Sequence, residues 1–454
     1  MIMLRRKAYE YFLKWKNQKE KKALCVTGAR QIGKTTLIRE FGRRNYEHFV
    51  ELNFVTEKDA GAIFSGSLDA NTIITNLSAY TRKPMEPGRT LVLLDEVQEC
   101  PEARTAIKFL VEDGRFDYIE SGSLMGVRHK EVASYPVGFE ELYRMYPMDF
   151  EEFLWANGVQ QSTIDYLRGC FDKLAPVSQA VHETMKKLFL SYIVVGGMPE
   201  AVQLYVDTHD IAKVAALQTD ILELYRLDIS KYAQGNDKLK IRAIFDSIPS
   251  QLNAKNRRFV LTDVDAKGRQ LRYANSFQWL AQAGVSLPCY NVSEPKAPLA
   301  LNEKHSLFKL FMGDVGLLCA ACMENVQFSI LQGDLEINMG SILENVIAQQ
   351  IKSAGLSLHF FDAKKYGELD FVIQNGLRIQ LVEVKSGKDY KKHASLDRVR
   401  QVKEWQAEKS YVFCQGNIEE ADGVTYLPWY EIMFLQPDRL PETMKFEVDI
   451  SALP

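Results

Sequence analysis

The sequence is poor in cysteine, nearly neutral in net charge and free of long apolar runs. Its 454 residues include seven cysteines, an odd number that is too small and too scattered for a disulfide-stabilised fold. The formal net charge is −3, so the whole chain is not a polycation that binds nucleic acid along its length. No stretch approaches the roughly 18 apolar residues of a membrane-spanning helix. We therefore expect no membrane contact, no signal peptide and a cytoplasmic location.

The remaining composition is that of ordinary globular protein, with 46% hydrophobic and 25% charged residues. The length suggests roughly two to four domains. One cysteine pair, Cys319 and Cys322, has the spacing of a redox or metal motif. It lies in an apolar segment that reads as a helix, with no second pair or histidine nearby, so simple packing is the favoured interpretation.

The most informative segment is a glycine-rich loop between a predicted strand and a predicted helix. Residues 28–35 fit the pattern G-x-x-x-x-G-K-[ST] at every fixed position. In such a loop the backbone N–H groups and the positive end of the helix surround phosphate oxygens; a plain glycine turn is the alternative. Lys34 would reach the β- and γ-phosphates of ATP, and Thr35 would offer its hydroxyl to Mg²⁺. The predicted nucleotide-binding residues are Gly28, Ala29, Arg30, Gln31, Ile32, Gly33, Lys34, Thr35 and Thr36.

An acidic pair follows a continuous apolar strand predicted over residues 90–94. Asp95 would join Thr35 as a magnesium ligand, acting through water. Glu96 would polarise the attacking water, which makes Glu96 and Lys34 the predicted catalytic residues. Acidic residues that merely keep a strand end soluble are the alternative.

Polar side chains also follow two neighbouring predicted strands. Ser121 or Ser123 would act as a sensor that hydrogen-bonds the γ-phosphate or the attacking water, and Asn53 is a weaker candidate for the same role. Ordinary turn residues are an equally good explanation of these positions. Alternating strands and helices predict a doubly wound α/β sheet for this part of the chain.

Together these motifs resemble an AAA-type ATPase of the additional-strand, catalytic-glutamate group over about residues 20–150. The resemblance implies a closing strand at 143–148 and a helix from 149. It also implies an arginine that stabilises γ-phosphate charge, supplied by the chain itself or by a neighbour in a homo-oligomer. Arg128 and Arg144 lie in suitable regions, but no motif selects either, so the arginine and any ring assembly stay unassigned.

The middle of the chain is predicted to be helical over 150–235, with a break at Gly196-Gly197-Met198-Pro199. Residues 236–275 are rich in lysine and arginine. Predicted helices at 241–248 and 274–283, with strands at 259–262 and 285–292, suggest a winged-helix module that contacts DNA phosphates. A solvated charged face is the alternative. The basic residues are Lys238, Lys240, Arg242, Lys255, Arg257, Arg258, Lys267, Arg269 and Arg272.

The last part of the chain holds a second constellation. A helix at 340–348 carries Glu344, a strand at 356–361 follows, and a hairpin turning at residues 375–376 joins strands at 368–373 and 377–385. Asp370 opens the hairpin, and Glu383 and Lys385 share one face of the return strand. Such a set can bind a divalent metal and polarise water at a phosphodiester. Alternating charge on a solvated strand is the alternative.

The Glu344, Asp370, Glu383 and Lys385 pattern resembles the PD-(D/E)XK nuclease fold over about 335–425. The whole chain resembles a bacterial and archaeal family that joins an AAA-type ATPase domain to domain of unknown function 4143. We accordingly expect an α/β fold with a P-loop parallel-sheet ATPase domain at 1–150, a helical lid at 151–235, a winged-helix-like domain at 236–330 and a nuclease-like domain at 331–454.

Two functional hypotheses follow from that resemblance. In the first, a Mg²⁺-dependent ATPase drives a C-terminal half that acts on or binds nucleic acid. In the second, the protein is a nucleotide-dependent switch or scaffold whose nuclease-like domain is inactive and binds a protein partner. The biological substrate is not implied by either.

Overall fold

The N-terminal sheet is parallel throughout, with strand order β2-β3-β4-β1-β5. The computed structural model describes residues 4–123, 136–233, 237–254, 257–265, 268, 270–322, 327–332, 339–438 and 445–448. The strands of this sheet are β1 (Ala23–Thr27), β2 (His48–Asn53), β3 (Thr90–Asp95), β4 (Asp117–Gly122) and β5 (Glu140–Arg144). Every residue of the central strand β3 is buried, as expected for a strand covered on both faces. The predicted α/β fold with a P-loop parallel sheet is confirmed.

Helices cover both faces of this sheet and continue into the middle of the chain. In the first part they are α1 (Lys7–Lys16), α2 (Lys34–Asn45), α3 (Ala70–Thr81), α4 (Pro101–Asp113) and α5 (Phe150–Ala156). In the middle they are α6 (Gln161–Lys173), α7 (Gln179–Val195), α8 (Pro199–Thr208), α9 (Ile211–Tyr232), α10 (Asp237–Asn253) and α11 (Gln270–Gln282).

The closing strand of the first sheet was predicted too late in the sequence. It ends at Arg144 rather than at Met148. The backbone N–H of Met145 still bonds the Thr27 carbonyl, but that of Met148 donates to the Gly197 carbonyl at 2.7 Å, so the chain has left the sheet. The predicted helix start is correct, because Asp149 caps α5 and its carboxylate accepts the N–H of Glu152.

The C-terminal sheet is mixed and has the order β12-β13-β11-β10-β9-β8-β6-β7. Its strands are β6 (Ser286–Val292), β7 (Glu303–Met312), β8 (His359–Ala363), β9 (Gly367–Asn375), β10 (Arg378–Val384), β11 (Ala407–Cys414), β12 (Glu419–Ala421) and β13 (Val424–Pro428). Its helices are α12 (Val315–Cys322), α13 (Gln327–Leu331), α14 (Met339–Ser353) and α15 (Ala394–Arg400). Strands β8, β9 and β10 are antiparallel neighbours, whereas β11 runs parallel to β10.

One element of the predicted winged helix is wrong. The segment 259–262 is not a strand, and Leu261–Asp263 forms a short 3-10 turn. The N–H of Val260 donates to the side chain of Gln251 at 2.8 Å, so a side chain takes the place of a ladder partner there. The predicted ribbon strand β6 does form, but it pairs with β7 and β8 inside the C-terminal sheet. The division of the chain at residue 330 stays a prediction.

A continuous buried core joins the two sheets through the helical middle. It includes side chains from α1, from the inner faces of both sheets and from the helices between them. Two smaller cores cover the opposite faces of the N-terminal and C-terminal sheets. The two sheets therefore share a packed interior, and a change at one has a physical route to the other.

Candidate functional site

The glycine-rich loop leaves β1 and enters α2, as predicted. Three of its residues adopt left-handed backbone angles: φ is +139° at Gly28, +63° at Gln31 and +86° at Gly33. A Cβ at Gly28 would lie 2.2 Å from the Met145 carbonyl oxygen, so only glycine fits. Lys34 is the first residue of α2, which places it at the positive end of that helix.

The side chain of Lys34 is folded into the loop. Its Nζ donates to the carbonyl oxygens of Gly28 at 3.0 Å and Ala29 at 2.7 Å. Burial lowers the pKa of this ammonium to about 8, against the opposing attraction of Glu96 and Asp95. Lys34 is therefore a desolvated cation held against the backbone of the loop.

Asp95 is the centre of the site. Parallel register places Asn53 beside Asp95 and Asp95 beside Ser121 at the carboxyl edge of the sheet. The Asp95 carboxylate accepts from Thr35 Oγ1 at 3.0 and 3.2 Å, from Asn53 Nδ2 at 2.8 Å and from the Ser121 hydroxyl. The structure thus brings together Thr35, Asp95 and one of the two predicted sensors, and it gives the weaker candidate Asn53 an equal place.

Glu96 lies directly after β3 with a left-handed φ of +55°, a value that is uncommon and strained for a residue other than glycine. Its carboxylate accepts a hydrogen bond from the Gln98 side-chain amide. Gln98 is a buried residue of the site that the sequence did not reveal. Its only signal was its position two residues after the acidic pair.

The second predicted sensor, Ser123, has a different partner. Its hydroxyl accepts from Arg30 Nε at 3.2 Å, and Arg30 Nη1 donates to Asp228 Oδ1 of α9 at 2.6 Å. The Tyr225 hydroxyl, also on α9, donates to the Arg30 carbonyl at 3.1 Å. Sequence reasoning missed Tyr225 and Asp228, because nothing in a helix some 195 residues downstream marks it as a neighbour of the loop.

A cavity of about 820 Å³ opens on the other side of the loop. Its walls come from the segment before α1, from the start of α2 and from α8, and they include Leu4, Gly33, Thr36, Leu37, Pro199 and Leu204. Arg6 braces this wall by donating to the carbonyls of Ile32 at 2.9 Å and Tyr146 at 2.7 Å. Pro199 of the Gly-Gly-x-Pro break therefore faces the same space as the loop.

The C-terminal constellation is partly assembled. Asp370 Oδ2 accepts the backbone N–H of Val384 at 2.8 Å, and Lys385 Nζ lies 2.7 Å from Glu383 Oε1. Burial raises the pKa of Glu383 to about 7, and the neighbouring Asp370 carboxylate adds to the rise. In the part of the chain that the structure describes, the carboxylate oxygens of Glu344, Asp370 and Glu383 do not all lie within 4.8 Å of one another, as the ligands of one metal ion would. A different group, Glu47, His48 and Glu86 near the surface, does bring its potential ligand atoms that close.

Glu344 forms ion pairs with two cationic side chains, and neither pairing was predicted from the sequence. It is fully buried, and its Oε2 lies 3.2 Å from Nζ of Lys309, which is also fully buried. Its other oxygen is paired with Arg257. Lys309 also contacts Glu368 at 2.6 Å. Lys309 is on β7, so it comes from a strand of the segment that was predicted to be a separate domain.

The predicted basic surface of residues 236–275 is largely neutralised where it is described. Arg257 and Arg258 pair with carboxylates of the C-terminal sheet region, Glu344 and Asp362. Lys240 and Arg242 pair with acidic residues of their own helix. Lys255, Lys267 and Arg269, like the candidate Arg128, lie outside the described residues. The other candidate arginine, Arg144, donates to the Ala281 carbonyl of α11.

Comparison with protein families decides the nature of the first part of the chain. Residues 20–154 match the family model described as an AAA domain. The chain carries an AAA domain. Behind this AAA domain, residues 186–327 match a domain of unknown function, DUF8612, and residues 339–432 match a second, DUF4143. The expected pairing of an AAA domain with domain of unknown function 4143 is therefore confirmed.

Solved structures resemble the chain only distantly. They include a Walker-type ATPase of Pyrococcus abyssi, at 12% identity over 70% of this chain and 96% of that one, with a TM-score of 0.40. The ORC1 protein of Aeropyrum pernix in complex with DNA gives 12% identity, 70% and 92% coverage and a TM-score of 0.29. Cdc6p from Pyrobaculum aerophilum has 11% identity over 74% of this chain and 96% of that one, with a TM-score of 0.27.

No curated protein sequence matches the chain significantly. Among the described helices, none combines the length and the apolar character needed to cross a membrane.

Proposed function

We propose that the AAA domain binds ATP with Mg²⁺ and hydrolyses it. The observation that supports this most strongly is the convergence on Asp95 of Thr35 from the loop helix and of Asn53 and Ser121 from neighbouring strands. Hydroxyl, carboxylate and amide oxygens are the donors that Mg²⁺ prefers. Thr35 and Asp95 would hold the ion, which supplies charge neutralisation at the β- and γ-phosphates.

The protein's own residues divide the remaining work. Lys34 would exchange its carbonyl partners for phosphate oxygens, and the N–H groups of the loop would surround the β-phosphate. Glu96, held by Gln98, would accept a proton from the attacking water. The cavity beside Pro199 and Leu37 has the size and apolar lining for the adenine base. We assign the base to that side and the γ-phosphate to the side of Glu96.

For the C-terminal half we propose that it binds or acts on nucleic acid under control of the AAA domain. The succession of α14, β8, β9, β10, α15 and β11, with Asp370, Glu383 and Lys385 together, supports a nuclease-like arrangement. The second candidate is a nucleotide-dependent switch whose C-terminal domain is inactive and binds a protein. It is favoured by one observation: Glu344 is already paired with Lys309 and Arg257.

The test uses the purified full chain and measures phosphate release from ATP, with and without single- and double-stranded DNA and RNA, together with cleavage of the same nucleic acids. We expect hydrolysis that Lys34→Ala abolishes, and stimulation by nucleic acid that weakens as salt rises. Wild-type protein that neither binds nor hydrolyses ATP contradicts the first proposal. ATP hydrolysis without any binding of nucleic acid contradicts the proposal that the C-terminal half acts on nucleic acid. The switch that binds a protein partner then remains.

A further inference from the structure

Helix α9 closes the γ-phosphate side of the candidate nucleotide site. A cavity of about 440 Å³ lies there, and its walls are formed by Arg30 and Asn53, by Glu96 and, from α9, by Leu224, Tyr225 and Asp228. The group predicted to activate water thus shares one space with a loop arginine and with a helix of the middle region. On the opposite side of the loop, α9 contributes only Leu217 to the larger cavity.

Arg30 connects three parts of the molecule through this cavity. Its backbone belongs to the phosphate-binding loop, its Nε donates to Ser123 after β4, and its Nη1 donates to Asp228 on α9. The Tyr225 hydroxyl, also on α9, holds the backbone of the same residue by donating to the Arg30 carbonyl. Because the guanidinium group bridges the segment after β4 and helix α9, a displacement of one of them alters the hydrogen bond to the other.

The charges around Arg30 set up a competition. Partial burial raises the pKa of the Asp228 carboxyl; Arg30 and Lys231 oppose the rise, and Glu96 adds to it. A γ-phosphate beside Glu96 would bring further negative charge within reach of the same guanidinium. Arginine prefers a bidentate contact with phosphate, so the phosphate would take donors that Asp228 now holds.

We propose that Arg30 senses the γ-phosphate of ATP and reports its presence to α9 through Asp228. This rests on the proposed binding of ATP. When ATP is bound, Arg30 contacts the γ-phosphate and the contact with Asp228 loosens; when ADP is bound, the Arg30–Asp228 ion pair holds α9 against the loop. The loop itself therefore supplies the sensing arginine within one chain.

The route onward from α9 is also built into the fold. Gln218 of α9 donates to the carbonyls of Val194 and Val195 at the end of α7, at 3.0 and 2.8 Å. The same amide lies against Gly316 of α12, where an added Cβ would be 2.5 Å from Gln218 Nε2. Helix α12 follows β7 of the C-terminal sheet. A movement of α9 thus reaches the C-terminal domain without crossing solvent.

The first measurement compares the affinities for ADP and for the non-hydrolysable analogue AMP-PNP by calorimetry, with Mg²⁺ and the full chain. Arg30→Ala should weaken AMP-PNP about tenfold to a hundredfold, as expected for a charge-assisted hydrogen bond, and change ADP by less than about twofold. Arg30→Lys keeps the charge without the fork and should be intermediate. Arg44→Ala, an exposed arginine on α2, is the matched control. Melting temperatures without nucleotide check that each variant folds.

The second measurement follows hydrogen exchange in the α9 peptides. In wild type the exchange of α9 should differ between AMP-PNP and ADP. Asp228→Asn should remove this difference while AMP-PNP binds a few-fold more tightly, because the competitor for Arg30 is weakened. If folded Arg30→Ala keeps both the nucleotide preference and the α9 response, the inference is wrong although ATP binding stands. If wild type binds neither nucleotide, the proposed function itself is wrong.

Discussion

The carboxylate of Asp314 accepts a hydrogen bond of 2.6 Å from the backbone N–H of Gly197. Asp314 follows β7 of the C-terminal sheet, whereas Gly197 belongs to the Gly-Gly-x-Pro break between α7 and α8. The Gly197 carbonyl in turn accepts from Met148, just after the last strand of the AAA domain. The Tyr192 hydroxyl extends this network by donating to the Met148 carbonyl and accepting from Gln349 and Gln350 of α14. The three parts of the chain are thus joined by one buried polar network.

Substitution of Gly197 by alanine should damage this junction. A Cβ at that position would lie 2.1 Å from the carbonyl oxygen of Met148 and 2.8 Å from its backbone nitrogen, and backbone atoms cannot swing aside as the end of a side chain can. We expect Gly197→Ala to lower the free energy of unfolding by about 3 kcal/mol or more, measured by urea denaturation. Gly169→Ala in α6 is the control, since an added Cβ meets nothing within 4 Å and should be neutral or slightly stabilising. Equal stabilities for the two variants would contradict this reading of the motif.

Glu96→Gln should separate binding from turnover. The amide keeps the size of the side chain but cannot accept a proton from water, so kcat for ATP should fall by about a hundredfold to ten-thousandfold while nucleotide affinity is retained. Glu99→Gln, an exposed residue in the same short turn, serves as the control and should turn over at the wild-type rate. The assays are phosphate release and equilibrium binding. A Glu96→Gln enzyme with wild-type kcat would remove Glu96 from the reaction.

The two serines after β4 should behave differently. Ser121 bonds Asp95, whereas Ser123 bonds Arg30. Ser121→Ala deprives the proposed magnesium ligand of one partner, so the Mg²⁺ concentration for half-maximal hydrolysis should rise roughly tenfold, as for loss of a hydrogen bond to a charged group. Ser123→Ala should leave the Mg²⁺ requirement within about twofold. An equal shift in the magnesium titrations of both variants would show that the Asp95 contact is not what matters.

The strands of the AAA domain could be predicted from the sequence because the central ones are short apolar runs that end in turn residues. The strand predicted over residues 90–94 is observed as β3 over Thr90–Asp95, and the strand predicted directly before the glycine-rich loop is β1. Strand β5 was not predicted with its observed bounds, because its Glu-Glu-Leu-Tyr-Arg sequence is only partly buried and lacks the apolar signature. The Met145–Met148 segment, which the resemblance placed in the closing strand, follows that strand instead, and the side chains of Met145 and Met148 are buried in the main core.

The C-terminal sheet was only partly predicted: β6, β8, β9 and β10 were expected from the sequence, whereas β7, β11, β12 and β13 were not. The α14, β8, β9 and β10 elements follow from periodicity, although β8 begins three residues later than expected. Nothing local indicates that β6 and β7 join this sheet, since that pairing is decided by packing between distant segments. For the same reason Lys309 could not be connected with Glu344, 35 residues away. The contact between Arg30 and Asp228 could not be predicted either, because the two residues are 198 positions apart in the sequence.

Glu383 should make stability depend on pH. Burial and the nearby Asp370 raise its folded-state pKa to about 7, above the usual value of 4.5 that it has when unfolded. Between these two values the folded state holds a proton that the unfolded state lacks, so this group's contribution to stability falls as pH rises from about 4.5 to 7. Glu383→Gln should therefore stabilise the protein more at pH 8 than at pH 5 in urea titrations.

The control for this experiment is Glu420→Gln, on the exposed edge strand β12. Asp314, whose pKa burial raises to about 6, contributes a slope of the same sign in both variants and cancels in the comparison. A Glu383→Gln variant that shifts stability equally at both pH values would mean that Glu383 is charged throughout. Burial would then be too weak to hold its proton.

The buried pair of Lys309 and Glu344 offers the most direct test of the C-terminal cluster. Both side chains are fully buried, so removing Lys309 takes one of two cationic partners from the Glu344 carboxylate, which has no solvent to replace it and keeps only Arg257. Lys309→Met should lower the free energy of unfolding by about 3 to 5 kcal/mol, and adding Glu344→Gln should restore a substantial part of the loss. Glu344→Gln alone leaves Lys309 its contact with Glu368, so it should cost less than Lys309→Met. Additive effects in urea denaturation would show that the two side chains do not interact.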